Sequence, residues 1–274
     1  MPDKLTRLKE LLSSFKTILV AFSGGVDSTF LLKIAHDLLG DKVLAVIATS
    51  PTYPQSELEE AKSFCSKSRI KFEIIKTDEF SDEQFLNNPA DRCYYCKKEL
   101  FNKLALLAKE KGLNQVIDGS NHDDLQDFRP GSRASSELGV RSPLKEVGLT
   151  KNEIRELSKE LGLPTWDKPS AACLASRIPY GTRITPELVM RIDQGEEFLR
   201  SLGFKQLRVR HHGPIVRLEV EKEQLGAVVA HMEEISKKFE ELGYTYVTLD
   251  LKGYRTGSLN EGLSDLVSGK RDNF

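Results

Sequence analysis

A chain of 274 residues is long enough to bury a sizeable core and favours two domains. Its 40 basic and 41 acidic residues leave a net charge of −1, which excludes the strong uniform field of a dedicated nucleic-acid or membrane-surface binder. No apolar run approaches the ~20 residues of a membrane span, and the start Met1-Pro2-Asp3-Lys4 lacks a signal-peptide pattern. A soluble cytoplasmic protein is expected, in which four cysteines speak for metal or catalytic thiols before structural disulfides.

In chain order, Leu5, Leu8, Leu11 and Leu12 predict a short amphipathic helix, and the apolar run 17–22 a buried parallel strand. Ser28 to Leu39 reads as a helix with Leu31, Leu32, Ala35 and Leu38 on one face. Strand 42–49, helix 57–68, strand 71–75, helix 96–111 and strand 115–118 follow, separated by polar loops at 50–55, 77–92 and 119–136. Thr150 with Glu153 three residues on predicts a capping box, and Gly162-Leu163-Pro164 ends that helix. Residues 164–182 resist any period and read as an active-site loop. Thr185-Pro186 opens a helix to Leu202, then come strands 206–210 and 215–220, a helix from Glu223 to Leu242 and a half-buried strand 244–251. The alternation gives an α/β fold, a doubly wound parallel sheet with a second, smaller α+β domain. The expected division is 1–168, a cysteine-bearing linker 169–184, and 185–274. After Gly253 the tail is polar and glycine-rich.

The most informative stretch is Ser23-Gly24-Gly25-Val26-Asp27-Ser28, set between the first strand and its helix. A glycine turn there brings backbone N–H groups up to an anion, and the helix N-terminus adds partial positive charge. No lysine follows the glycines, so the pattern departs from the GxxxxGK[ST] loop. The order SGGxDS resembles the PP-loop of ATP pyrophosphatases, which implies ATP bound by Ser23, Gly24, Gly25, Asp27 and Ser28 and cleaved between its α- and β-phosphates. After the fourth strand comes Asp118-Gly119-Ser120-Asn121-His122-Asp123-Asp124, on the same sheet edge. Gly119 is placed to lie against an adenine and Asp124 to hold Mg2+, and the resemblance supports Asn121 in the same site. Arg129 and Arg133 are candidates for neutralising phosphate.

Cys93 and Cys96 lead into a helix whose positive end favours thiolate. Two thiols do not complete a tetrahedral site, and Cys173, in Ala171-Ala172-Cys173-Leu174-Ala175-Ser176-Arg177, is the natural third. Three thiolates suit a [4Fe-4S] cluster with one open iron, and a redox pair at Cys93 and Cys96 stays open as the alternative. Cys65, on a helix, reads as a core thiol.

SGGVDS, CYYCKKELF, the DFRPG and RSPL segments, WDKPSAACLASRIPYG and LRVRHH together resemble the LarE family of ATP-dependent sulfur-inserting enzymes over almost the whole chain. The resemblance implies adenylylation of a carboxylate of pyridinium-3,5-biscarboxylic acid mononucleotide, then displacement of AMP by sulfur from sulfide or another donor. One branch of that family sacrifices a cysteine at the position of Cys173 and lacks the CxxC pair. This sequence has the pair and resembles the branch expected to hold a cluster. Arg208 and Arg210, two apart on a strand and so on one side of it, match the family's phosphate-binding arginines. Ser176, Arg177 and Arg255 are implied substrate contacts, and Glu196 matches an acidic position implicated in metal binding. The resemblance also implies a homo-oligomer. Competing readings are a tRNA thiouridine synthetase or amide-forming PP-loop ligase, which neutral charge and a small second domain disfavour, and a non-catalytic nucleotide-binding or iron–sulfur carrier protein.

Overall fold

In a computed structural model, residues 2–125, 130–169, 172–255 and Ser258 are described. The chain separates into two compact units, 1–171 and 172–274.

The first unit runs α1 (Pro2–Phe15), β1 (Ile18–Ala21), α2 (Val26–Leu39), β2 (Val43–Thr49), α3 (Gln55–Lys67), β3 (Phe72–Lys76), α4 (Glu83–Leu86), α5 (Arg92–Glu110), β4 (Gln115–Ile117), α6 (Gly131–Glu137), α7 (Pro143–Glu146) and α8 (Lys151–Glu160). The sheet order is β3-β2-β1-β4, every pair parallel, and a parallel bridge from Ile117 to Arg141 continues it beyond β4. Successive residues of β1 explain the two-sided burial. Ile18 and Val20 join a core with Leu8, Leu12, Phe30, Leu31, Ile154 and Leu157, whereas Leu19 joins Phe101, Leu104, Val116 and Ala134 on the other face. The predicted α/β class and parallel sheet are therefore present.

This order places a topological switch point between β1 and β4. The chain leaves β1 towards β2 and β3, then returns to β1's other side, and ligands of such sheets bind in the crevice at the carboxyl ends of the strands flanking that point. The segments that follow β1 and β4 are 22–25 and 118–125. The predicted capping box forms: Thr150 Oγ1 accepts from the Glu153 amide while the Glu153 carboxylate accepts from the Thr150 amide at 2.9 Å.

The second unit contains α9 (Pro186–Ser201), β5 (Leu207–His212), β6 (Ile215–Val220), α10 (Leu225–Ala230), α11 (Met232–Glu241) and β7 (Tyr246–Leu249). β5 and β6 are antiparallel, β6 and β7 parallel, with β6 central. Sequence periodicity predicts one helix over 223–242, but the structure breaks it at His231, which stacks edge-on against Phe204 at 6.3 Å and pairs with Glu234. Ile235 and Phe239 of α11 and Val228 of α10 are still all buried, so the apolar stripe continues across the break.

Candidate active site: a nucleotide turn and an arginine-lined cysteine loop

Packing and polarity both shape the turn after β1. Gly24 has φ +66°, a conformation L side chains rarely adopt, and a Cβ there would lie 3.2 Å from that of Ala61. The Ser23 amide donates to Ser28 Oγ at 3.3 Å, the two serine hydroxyls lie 3.0 Å apart, and Tyr53 Oη donates to the Ser23 carbonyl at 2.9 Å. Burial, with Glu57 and Glu60 nearby, pushes the Tyr53 hydroxyl's pKa well up, so it remains a donor. At the start of α2, Gly25 occupies the cap position without a side-chain cap hydrogen bond. The first-turn N–H groups of α2 thus keep their capacity for an anion.

The β4 loop closes on this turn. Gly119 approaches so near that a Cβ would sit 2.9 Å from the Ser28 nitrogen and 3.0 Å from its Cα. The tight side of Gly119 thus faces Ser28. Asn121 Nδ2 donates to Asp27 Oδ2 at 3.3 Å, the Asn121 amide donates to Asp124 Oδ2 at 3.0 Å, and Asn121 Oδ1 accepts from the Asp123 amide at 2.9 Å. Asp118 stiffens the loop, accepting from Ser142 Oγ at 2.7 Å and from the Ser120 amide at 3.1 Å. Asp27, Ser28, Gly119, Asn121 and Asp124 are thereby joined by direct contacts. Arg129 lies outside the described residues. Arg133 stacks 3.7 Å above the Tyr94 ring and faces Glu137.

Two lysines complete the turn, and sequence reasoning missed both. Lys151 Nζ, from the first turn of α8, lies 2.6 Å from Asp27 Oδ2, and its amide donates to Asp123 at 2.9 Å. Lys168 Nζ reaches Glu57 at 2.5 Å, Glu60 at 2.6 Å and the Gly24 carbonyl at 3.3 Å. Burial works against its charge, but the two carboxylates outweigh it and hold its pKa above the ordinary value. Their only sequence signal is a basic residue beside a capping box and another in an irregular loop.

Asp27 Oδ2 is paired, whereas its Oδ1 is buried with no hydrogen-bond partner among the described residues. Such an oxygen is costly unless a ligand satisfies it. A hard cation suits a carboxylate of this kind, so Asp27, with Asp124 close by through Asn121, fits Mg2+.

All four cysteines are thiols; Cys65 is buried, Cys96 partly exposed, and Cys93 and Cys173 exposed. Burial pushes the Cys65 thiol up to about 12, which marks it as inert. Cys93 and Cys96 sit near the start of α5, three residues apart and so on one face. Cys173 precedes a 3-10 turn, Leu174–Arg177, whose Leu174 and Ala175 are fully buried. Among the described residues no group of three or more His, Cys, Asp or Glu side chains is set to hold a metal ion. Thiolates are the donors of iron–sulfur clusters, and none of Cys93, Cys96 and Cys173 is buried.

In the second unit three of the four predicted substrate arginines, Arg177, Arg208 and Arg210, are buried, and Arg255 is partly exposed. Arg177, 2% exposed, forms a bidentate pair with the fully buried Glu196, at 2.7 and 2.9 Å. Arg210 forms another with the fully buried Glu219, both bonds at 3.1 Å, and donates to the Ser176 carbonyl at 2.7 Å and to Ser258 Oγ at 2.8 Å. Arg200 also reaches Glu196, and Arg217 also reaches Glu219. Each buried carboxylate thus serves two guanidinium groups. The Arg208 guanidinium lies 5.0 Å from the Tyr254 ring. Burial and then the Arg177 charge lower its pKa to about 10, and it stays cationic at neutral pH. Arg255 donates to the Gly253 carbonyl and lies 3.5 Å from Asp250.

The NAD synthase family model matches residues 6–101, which span the nucleotide turn. An uncharacterized protein of Synechocystis sp. is 43% identical over 266 residues, covering 96% of this chain and 99% of its own. The pyridinium-3,5-bisthiocarboxylic acid mononucleotide synthase of Lactiplantibacillus plantarum is 38% identical over 265 residues, 96% of each chain. An uncharacterized protein of Methanocaldococcus jannaschii is 32% identical over 256 residues, 92% of this chain and 98% of its own. The synthase match covers both units, and with the NAD synthase model it decides the family. The chain belongs to the family of pyridinium-3,5-bisthiocarboxylic acid mononucleotide synthases, PP-loop ATP-dependent sulfurtransferases of the LarE type.

Proposed function

We propose that this enzyme adenylylates the carboxylates of pyridinium-3,5-biscarboxylic acid mononucleotide with ATP and replaces AMP by sulfur, giving thiocarboxylates, with a [4Fe-4S] cluster on Cys93, Cys96 and Cys173. The observation that carries the reading is the turn at 23–28: an uncapped α2 N-terminus, a buried Asp27 oxygen with no hydrogen-bond partner among the described residues, and Lys151 beside it. Those groups suit a polyphosphate and its cation.

A carboxylate is a poor acyl donor, and its attack on the α-phosphorus of ATP makes an acyl-adenylate and frees pyrophosphate. The α2 amides and Lys151 face the charge that grows on that leaving group, and this preorganisation lowers the barrier. Asp27 and Asp124 would hold Mg2+, which offsets further charge on the phosphates. Sulfide or another sulfur donor then replaces AMP at the acyl carbon, and two rounds give the bis-thio product. Three thiolates would leave one iron of the cluster with an open position, supplying a soft site for sulfur. In the second unit Arg208 and Arg255 supply guanidinium charge for the substrate phosphate, and Arg208 stays cationic at neutral pH. Arg210, closed on Glu219, also holds the Ser176 carbonyl.

Pyrophosphate release tests the reading. It is expected to depend on the pyridinium mononucleotide and to ignore tRNA; release driven by tRNA, or by ATP alone at the same rate, would overturn it.

A further inference from the structure

We propose that Arg177 and Glu196 are positioning residues for Cys173. The inference rests on the reading of Cys173 as a cluster ligand, and it concerns what fixes that residue's backbone. Three observations converge. The Arg177 Nη1 group donates to the carbonyl of Ala172 at 2.8 Å, the carbonyl of Cys173 itself at 3.2 Å and Ser176 Oγ at 2.9 Å. Its Nε and Nη2 donate to the two oxygens of Glu196. One guanidinium therefore links the cysteine turn to α9, from below and out of solvent. The Cys173 carbonyl also accepts from the Ser176 amide at 2.9 Å, so both of its acceptor directions are engaged.

Glu196 has no capacity left for another role. Its Oε1 accepts from Arg177 Nε at 2.7 Å and from the Val209 amide at 3.2 Å, and its Oε2 from Arg177 and Arg200 at 2.9 Å each. Four donors fill the roughly four lone-pair sites of a carboxylate. A metal ion at Glu196 would have to displace a guanidinium from a fully buried group. The residues here do not fit that metal, and they do fit a clamp. Arg177 is likewise spent: all its nitrogens are engaged and it is buried, so it orients Cys173 and does not reach substrate. The carbonyl of Ser176, held at 2.7 Å by Arg210, fixes the other end of the same turn to β5. Arg210 and Glu219 repeat the arrangement one strand away.

A lysine cannot replace the arginine in this geometry. A single ammonium reaches one set of acceptors, whereas the planar fork spans Glu196 and the carbonyls together.

The test compares the wild-type chain with Arg177→Lys and with the double exchange Arg177→Met plus Glu196→Gln. The double exchange removes one buried positive and one buried negative charge together, keeps an acceptor for the Val209 amide, and leaves the partly exposed Arg200 to water. Thermal melting first establishes that both variants fold. Hydrogen exchange on the metal-free proteins is then read at the amides of 174–177 against those of β5 and β6. Faster exchange confined to the turn is expected in both variants. In reconstituted protein, iron is expected to be lost to a chelator about 10- to 100-fold faster than from wild type, the scale on which outer partners of metal ligands act. Wild-type exchange at 174–177 in the double variant, or full rescue by Arg177→Lys, would overturn the proposal. Wild-type protein that takes up no iron would instead overturn the cluster reading, and the exchange experiment would still judge the clamp.

Discussion

Gly119→Ala puts the closest approach in the nucleotide site under direct load. The added Cβ would meet the Ser28 nitrogen at 2.9 Å, its Cα at 3.0 Å and its Cβ at 3.2 Å. Carbon contacts settle near 3.5–4.0 Å, so the loop and the start of α2 must separate by roughly 0.6–1 Å. Two of the three atoms are backbone, and no rotamer change relieves them. Overpacking of this kind costs about 1–3 kcal/mol, to be read from urea unfolding. The functional loss should be larger in proportion. Ser28 and the α2 amides carry the anion site, and a ~1 Å misplacement costs on the order of 100-fold in rate. The expected result is therefore kcat/KM for ATP-dependent pyrophosphate release down about 100-fold, with the fold retained. Gly226→Ala is the control, because nothing lies within 4 Å of its added Cβ and its φ is ordinary; a helical glycine replaced by alanine should gain about 0.5–1 kcal/mol. Wild-type stability and wild-type ATP kinetics in Gly119→Ala would refute the reasoning.

Two further predictions concern single groups. Glu153, held by Lys4 and then by the Thr150 amide, has its carboxyl pKa lowered to about 2. A depressed folded-state value means stability that is full above the usual carboxylate range and lost as pH falls towards 2. Glu153→Gln should thus flatten the acid limb of the stability curve between about pH 4.5 and 2 and leave the neutral plateau's slope alone; an unchanged acid limb would contradict this. Cys65, fully buried with its thiol pushed up to about 12, should react with iodoacetamide far more slowly at pH 8 than Cys93 or Cys173, by peptide mapping of the metal-free protein.

Much of this site is legible in the sequence because its signals are local. The Ser23–Ser28 turn, the Thr150 capping box and the apolar strands each depend on residues within a few positions of one another, and the parallel sheet follows from their alternation. What escapes is set by distant partners. Lys151 is 124 residues from Asp27, and Lys168 is 144 from Gly24, so nothing local distinguishes them from surface lysines. Arg208 and Arg210 read as two residues on one side of a strand, and their spacing does not reveal that both are buried. Glu219 accepts the Arg210 fork from the neighbouring strand, and Glu196 on α9 adds a second negative charge close to Arg208. The break at His231 is similarly silent, since the apolar stripe continues through it and Phe204, 27 positions earlier, supplies its stacking partner.

The central claim, that Cys93, Cys96 and Cys173 act together as cluster ligands in a catalytic sulfur transfer, is tested most directly by anaerobic reconstitution of wild type and four single variants, with iron content and visible absorbance read together. Cys93→Ser, Cys96→Ser and Cys173→Ala should each lose the broad absorbance of a thiolate-held cluster, and Cys65→Ser should keep it. After turnover, the intact mass of the wild-type chain should be unchanged. A cluster retained in Cys173→Ala, or a loss of one hydrogen sulfide from Cys173 after turnover, would contradict the account.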